Sequence, residues 1–468
     1  TGLWPPWAYP NPGGAPLFGA LTLVFSNKLV FSLLVWQRAG VCGILRHTMR
    51  PRNRLLQAVR WRRLLAVTGL ALLGGALALA YLRARYSLSD FFRLLWGVGV
   101  RLSRELVAAG LTVSAVAVWL VARWRGGRRT AYPVLLAYGC GVVADGLVLV
   151  ALEPLGISYG PVLLPLVIAA GVRSGVVLAL TALAWLAGSA VRRWRCWPWA
   201  HVGAQTLILA VMVYGFAIEP ARLTVSTVQV SDPYHQGGRL LRIVQLSDLH
   251  IERATRLNWR AVEATNALQP DLIVLTGDYL NTSFVGQAQA EADFRELVAA
   301  LRARHGIYAV RGNVDTPARA QRLLAGLPVT LLEDRWVELE IDGRRLVIAG
   351  VATRWNLDED RQALAELLPA LPRGCFSVLL YHSPELVPEA ATAGFNLFPT
   401  GHTHGGQVRL PFYGAMTTFS IYGKRYEMGP YRQGDTLIYV TRGIGMEGWL
   451  MPRMRFLCPP EIVCYQVG

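Results

Sequence analysis

RIVQLSDLH, residues 242–250, is a short apolar run that stops abruptly at an aspartate and a histidine. Its apolar part has the length of a buried strand rather than of a helix with one apolar face. Four further stretches repeat the form: DLIVLTGD (271–278), IYAVRGNVD (307–315), FSVLLYHS (376–383) and FNLFPTGHTH (395–404). Each reads as a buried strand ending in Asp, Asn or His, and the segments between them are polar and helical in pattern. That alternation is the signature of an α/β layered domain. In an open α/β sheet, ligands bind beyond the carboxyl ends of the strands, so the five endings can converge on one pocket. Carboxylate, amide oxygen and imidazole suit zinc, manganese or iron, and the donors outnumber what one ion needs. His201, His235 and His305 fall outside the pattern and are read as non-ligands.

Upstream of residue 241 the texture is different. The chain has 468 residues, 53% of them hydrophobic, and a formal net charge of +17. Residues 1–200 hold 22 Lys and Arg against 4 Asp and Glu, whereas residues 201–468 hold 25 against 26, so the basic character belongs to the N-terminal part. Its arginines punctuate apolar stretches, which points to a membrane and away from a nucleic-acid partner. Stretches of spanning length lie at 64–82, 106–122, 131–152, 161–190 and 200–218, with a sixth, interrupted by Asn27 and Lys28, at 15–36. Arginines crowd 37–63, 123–129 and 192–195 and are missing from 153–160. Positive residues favour the cytoplasmic side, so the region from 219 onward is expected on the outer side of the cell (inner) membrane; the five arginines of 83–105 argue the other way. Asp145 and Arg173 fall inside apolar stretches, where they either pair with each other or serve a polar site. The six cysteines show no CxxC spacing, which excludes a zinc ribbon and gives no sign of a disulfide framework.

Taken in order, the motifs D-x-H (Asp248, His250), G-D (Gly277, Asp278), G-N-x-D (Gly312, Asn313, Asp315), a lone His382 and G-H-T-H (Gly401, His402, Thr403, His404) resemble those of the calcineurin-like metallophosphoesterase family. HTHGGQVRLP (402–411), YGKRY (422–426), RGIG (442–445) and RFLCPPEI (455–462) are similar to its membrane-attached bacterial branch. The resemblance implies a two-sheet α/β/β/α sandwich over residues 241–468, preceded by a multi-pass helical region of five or six spans (1–220) and a linker (221–240). It also implies two divalent ions, manganese foremost, with zinc, iron or magnesium as alternatives. Asp278 would serve both ions, Asp248, His250 and His404 would complete one site, and Asn313, His382 and His402 the other. Gly405 and Gly406 would let the backbone turn beneath the paired histidines.

Asn313, Asp315, His382 and His402 are the expected catalytic group, and Arg311, Arg409, Arg442 and Trp449 the expected substrate contacts. Trp449, Met451, Met454 and Phe456 read as an apolar patch that meets lipid or packs on its own domain. Where the family commonly has a histidine after the Asn of its third motif, this chain has Val314. The expected activity is hydrolysis of a phosphoester or diphosphate bond in a lipid-linked or amphiphilic substrate by a metal-bridging hydroxide. The alternative is a membrane sensor or scaffold that keeps the metal domain without turnover, which Val314 favours and the full ligand set disfavours.

Overall fold

A computed structural model describes Thr112, Val116 and residues 132–186, 197–235, 237–448 and 453–468. The apolar stretches expected at 15–36 and 64–82, nearly all of 106–122, and Trp449 and Met451 lie outside the described residues. Three helices among the described residues are long and apolar enough to cross a membrane: α1 (Tyr132–Ala151), α2 (Leu163–Leu186) and α3 (Trp197–Val213), the last continuing through a wider π-helical turn (Tyr214–Ile218) and a tighter 3-10 turn (Glu219–Ala221) so that its apolar stretch runs to Ala221. A buried ion pair joins them. Arg173 Nε and Nη2 donate to the Asp145 carboxylate at 2.6 and 2.7 Å, and Nη1 donates to Gln205 at 2.8 and 2.9 Å. Of the two readings of Asp145 and Arg173, the structure holds the mutual pairing.

Beyond α3 the chain builds two six-stranded sheets. The elements follow in the order β1 (Thr224–Val230), β2 (Leu241–Leu246), α4 (Arg256–Ala267), β3 (Leu272–Leu275), α5 (Ala288–Ala299), β4 (Ile307–Ala309), α6 (Pro317–Leu324), β5 (Val329–Leu331), β6 (Arg335–Ile341) and β7 (Arg344–Gly350). They continue with α7 (Leu357–Leu367), β8 (Phe376–Leu380), α8 (Val387–Ala393), β9 (Leu397–Thr400), the short hairpin β10 (Arg409–Leu410) and β11 (Gly414–Ala415), β12 (Gly429–Gln433), β13 (Thr436–Val440) and β14 (Glu461–Val467). The first sheet has the order β1-β14-β2-β3-β4-β5 and the second β12-β13-β9-β8-β7-β6. Residues 224–230, expected within a linker, are instead the edge strand β1, paired parallel with β14.

Period-two alternation decides what each strand buries. Ile243, Leu272 and Val274 point between the sheets, against Ile348, Phe376, Val378 and Leu397. Their neighbours Val244, Leu246, Ile273 and Leu275 pack under α4, α5 and α6 with Val262, Phe294 and Leu323. On the far side, Leu379, Phe398 and Ile438 pack against Leu364 of α7 and Val387 of α8. Strands buried on both faces read as continuous apolar runs, which is why RIVQL and DLIVL stand out in the sequence. Local signals set the helix starts: Thr255 and Asn258 form a reciprocal capping box for α4, and Thr316 caps α6 ahead of Pro317. The result is the expected α/β/β/α sandwich.

Candidate functional site

Strands β2, β3, β4, β8 and β9 end side by side, and the residues just beyond them carry all seven expected metal ligands. The ligand atoms of Asp248, His250 and His404 lie within 4.8 Å of one another, and so do those of Asp278, His382 and His402. Asn313 joins the second trio, its Oδ1 3.0 Å from both His382 Nε2 and His402 Nδ1. Asp278 Oδ2 sits between the two groups, 3.5 Å from His250 Nε2 and 3.3 Å from His382 Nε2.

The donor set fits divalent cations. His250 Nε2 and His404 Nε2 approach to 3.0 Å, and His402 Nδ1 and His382 Nε2 to 3.2 Å. Imidazole nitrogens this close either share a proton or face a common cation, and a divalent ion would take the place of the proton. The orientation of each ring is set from behind. His382 Nδ1 lies 2.8 Å from the Thr276 carbonyl oxygen, which can only accept, so Nδ1 carries the proton and Nε2 faces the cluster. His250 Nδ1 lies 3.0 Å from Glu447 Oε2, with the same consequence. Backbone strain is concentrated here too. Asp248, His250, Asp278, His402 and His404 have φ of 50°, 40°, 55°, 70° and 49°, a region that non-glycine residues enter at a cost and that clusters at functional sites.

Asp315 supports the site from beneath rather than facing it. Its carboxylate accepts the amides of Asp278 at 2.8 Å, Tyr279 at 3.2 Å and Gly312 at 3.0 Å. It is therefore a positioning residue, where the sequence suggested a catalytic one. Gly312 must lack a side chain, since a Cβ there would lie 2.1 Å from Asp278 Oδ1. Val314 contributes its amide, which donates to the same oxygen at 2.9 Å.

The expected arginine contacts are engaged elsewhere. Arg311 is buried and paired with Glu333 at 3.1 Å, Arg409 with Glu427 at 2.8 Å, and Arg442 with Glu461 at 2.9 Å. Each guanidinium neutralises a carboxylate and braces a loop. Met454 and Phe456 pack on α3 and its extension, Met454 against Gly215 and Phe456 edge-on to Tyr214 with ring centroids 5.7 Å apart. Glu447 was not singled out in the sequence, although it stands two residues after the RGIG stretch. Its carboxylate faces His250 Nδ1 as an ion-pair partner and accepts the Thr282 amide and hydroxyl at 3.2 and 3.1 Å.

Charge in the cluster follows from burial set against close carboxylates. Burial alone would depress His250, yet Glu447, Asp278 and Asp248 hold it up at about 9. Burial likewise opposes, and Asp278 and Asp248 outweigh it, to hold His382 up at about 10. Burial and the neighbouring His250 push His404 well below its ordinary value. Both raised groups hold protons at neutral pH in the metal-free protein, and cations must displace those protons. Metal affinity should therefore rise as pH increases from about 6 toward 9, with proton release detectable by calorimetry in buffers of different ionisation enthalpy. Glu447→Gln should lower metal affinity by about 10- to 100-fold. An affinity independent of pH, or unchanged in this variant, would contradict the assigned role of His250.

The calcineurin-like phosphoesterase family model matches residues 241–406, a span that includes all five ligand-bearing strand ends. The uncharacterized metallophosphoesterase YkuE of Bacillus subtilis is 34% identical over 263 residues, 54% of this chain and 88% of that protein. A transmembrane protein with metallophosphoesterase domain from Bos taurus is 28% identical over 316 residues, 59% of this chain and 66% of that one. The UDP-2,3-diacylglucosamine pyrophosphatase LpxG of Chlamydia muridarum is 26% identical over 284 residues, 47% of this chain and 82% of that one. Similarity to the Bacillus protein along most of its length, together with the family match over residues 241–406, places this chain among the calcineurin-like metallophosphoesterases, metal-dependent hydrolases of phosphoester bonds.

Proposed function

We propose that this protein is a membrane-anchored dinuclear phosphoesterase that cleaves a phosphoester or diphosphate bond in a lipid-linked or amphiphilic substrate. The observation that carries the reading is the place of Asp278 Oδ2 between two complete ligand groups. Two divalent ions bound there would act as Lewis acids on the phosphate oxygens and lower the pKa of a water between them. Manganese suits this mixture of carboxylate, amide and imidazole, as would zinc or iron, whereas four imidazoles fit magnesium poorly. The chain's own part is placement. Asp278 and Asp248 supply charge, Asn313, His382 and His402 close one end of the cluster, and Thr276 and Glu447 fix the rings behind it.

Val314 has no side-chain proton to give. General acid catalysis contributes about 10²- to 10⁴-fold when the departing oxygen is basic. A diphosphate, whose leaving phosphate needs little protonation, therefore suits this site better than a simple alkyl ester. The name of the Chlamydia relative, a pyrophosphatase of a UDP-linked diacyl sugar, agrees with that choice. The test is hydrolysis by the full chain in nanodiscs across phosphomonoesters, diesters and lipid diphosphates. Mn-dependent turnover of the diphosphates is expected, and two bound metals with no turnover of any class would instead favour a sensor.

The domain plan belongs to the same proposal: spans up to about residue 220, then the phosphoesterase domain on the outer side of the inner membrane. The arginine-free loop between α1 and α2 touches that domain, the Tyr159 amide donating to Glu252 Oε2 at 2.5 Å. That contact supports a common side for the loop and the domain, and the arginines in the sequence at 123–129 and 192–195 favour the outer one by the positive-inside rule. An impermeant thiol reagent on intact cells should label a cysteine at exposed Gln287 and not one at Gly126. The reverse pattern would put the site in the cytoplasm.

A further inference from the structure

Five residues after His404, the chain enters the β10–β11 hairpin and its continuation to residue 421. Leu410, Phe412, Tyr413, Met416, Phe419 and Ile421 are all exposed there, Phe412 fully so and with φ of 64° at the turn. So dense a run of exposed apolar side chains marks an interaction surface. The hairpin is braced rather than loose. Glu427 Oε2 accepts Arg409 at 2.8 Å and the Ala415 amide at 3.2 Å, while Lys424 reaches Glu427 Oε1 at 3.3 Å. Arg409 Nη1 also donates to the carbonyl oxygen of Gly405 at 2.7 Å, tying the hairpin to the turn that carries His402 and His404.

Its root is one strand away from a membrane-length helix. The Arg409 amide donates to the Phe456 carbonyl at 3.0 Å, and the Phe456 amide donates to Gln407 at 3.0 Å. The Phe456 ring packs on Tyr214, and the Arg455 amide donates to Gly215 at 2.9 Å. Tyr214 and Gly215 lie toward the C-terminal end of the apolar span Trp199–Ala221, so the hairpin root is tied to the domain-side part of a helix long and apolar enough to cross a membrane. Exposed Leu457 adjoins it. Basic groups stand beside the apolar ones, with Lys424 Nζ 3.6 Å from the Tyr413 ring centroid and Arg425 exposed. Apolar side chains bordered by lysine and arginine match the boundary between acyl chains and anionic headgroups.

We propose that the 409–421 hairpin is a bilayer-contacting element: Phe412, Tyr413 and Met416 enter the headgroup–acyl boundary, and the metal-ligand turn is held at the membrane surface. Given the phosphoesterase reading above, the phosphate presented to the site is then carried by a lipid resident in the bilayer.

The test is a depth measurement on the full chain in nanodiscs of phosphatidylethanolamine and phosphatidylglycerol. Nitroxide labels are placed at Phe412→Cys, Met416→Cys and, as a water-facing reference, Gln362→Cys, with Cys42, Cys140 and Cys196 replaced by Ser. Accessibility at 412 and 416 should shift toward oxygen over a soluble nickel chelate, with the reverse order at 362. Labels at 412 and 416 that behave like 362 would overturn the proposal, and labels shielded from both reagents would show that protein covers the hairpin, overturning it equally. The readout needs no turnover. A failure of hydrolysis would sink the phosphoesterase reading and leave the depth result standing, while water-exposed labels on an active enzyme would sink the hairpin alone.

Discussion

Asp278→Ala should leave a folded protein that holds neither ion and hydrolyses nothing above background. Asp278 Oδ2 lies within 3.5 Å of a ligand nitrogen on each side of the cluster, and its Oδ1 accepts the Val314 amide that shapes the neighbouring loop. Removing it takes from His382 its main compensating carboxylate and from His250 one of three, and leaves two incomplete coordination sets. Catalysis that depends on both ions should fall by at least about 10³-fold. His250→Ala or His404→Ala should mainly weaken one site. Metal analysis and turnover on the same preparations separate these cases. Asp278→Ala retaining two metals per chain and normal turnover would contradict the dinuclear assignment, and a melting temperature close to that of the metal-stripped wild type guards against misfolding as the cause of loss.

The second large effect is expected far from the chemistry. Arg173→Leu should destabilise the helical region by about 3–5 kcal/mol, because it strands a buried carboxylate and removes the donors to Gln205. Both partners of the ion pair have fully buried side chains. Glycine at 141 makes room for the guanidinium, since a Cβ there would lie 2.5 Å from Arg173 Nη1. The double variant Asp145→Leu with Arg173→Leu should recover most of the loss, as replacing both members of a buried pair with apolar groups is often near neutral. Thermal unfolding of the detergent-solubilised chain, followed by size-exclusion, gives the comparison. Equal melting of the single and double variants would mean that the pair contributes packing and not charge compensation.

The ligand-bearing strands were legible because burial on both faces makes them continuous apolar runs, and because His, Asp and Asn at their ends interrupt those runs sharply. Strand β1 was not. Its residues TVSTVQV form neither a continuous apolar run nor a strict alternation, Ser226 and Thr227 breaking the period, and its partner β14 lies more than 230 residues further on, so only the folded chain supplies the pairing. The arginine partners were hidden for a related reason. Glu333, Glu427 and Glu461 sit well away in sequence from Arg311, Arg409 and Arg442, and no local period links them. Glu447 lies in a loop with no strand-end signal, though its carboxylate orients a ligand ring. Left-handed backbone at five ligands was also invisible, because none of the five is glycine.

The most direct measurement of the central claim is anomalous diffraction from crystals of the full chain grown with manganese. Two peaks are expected, one against Asp248, His250 and His404 and one against Asn313, His382 and His402, with Asp278 touching both. A single peak in crystals of an enzyme that is fully active with manganese, or two peaks that leave Asp278 out, would contradict it.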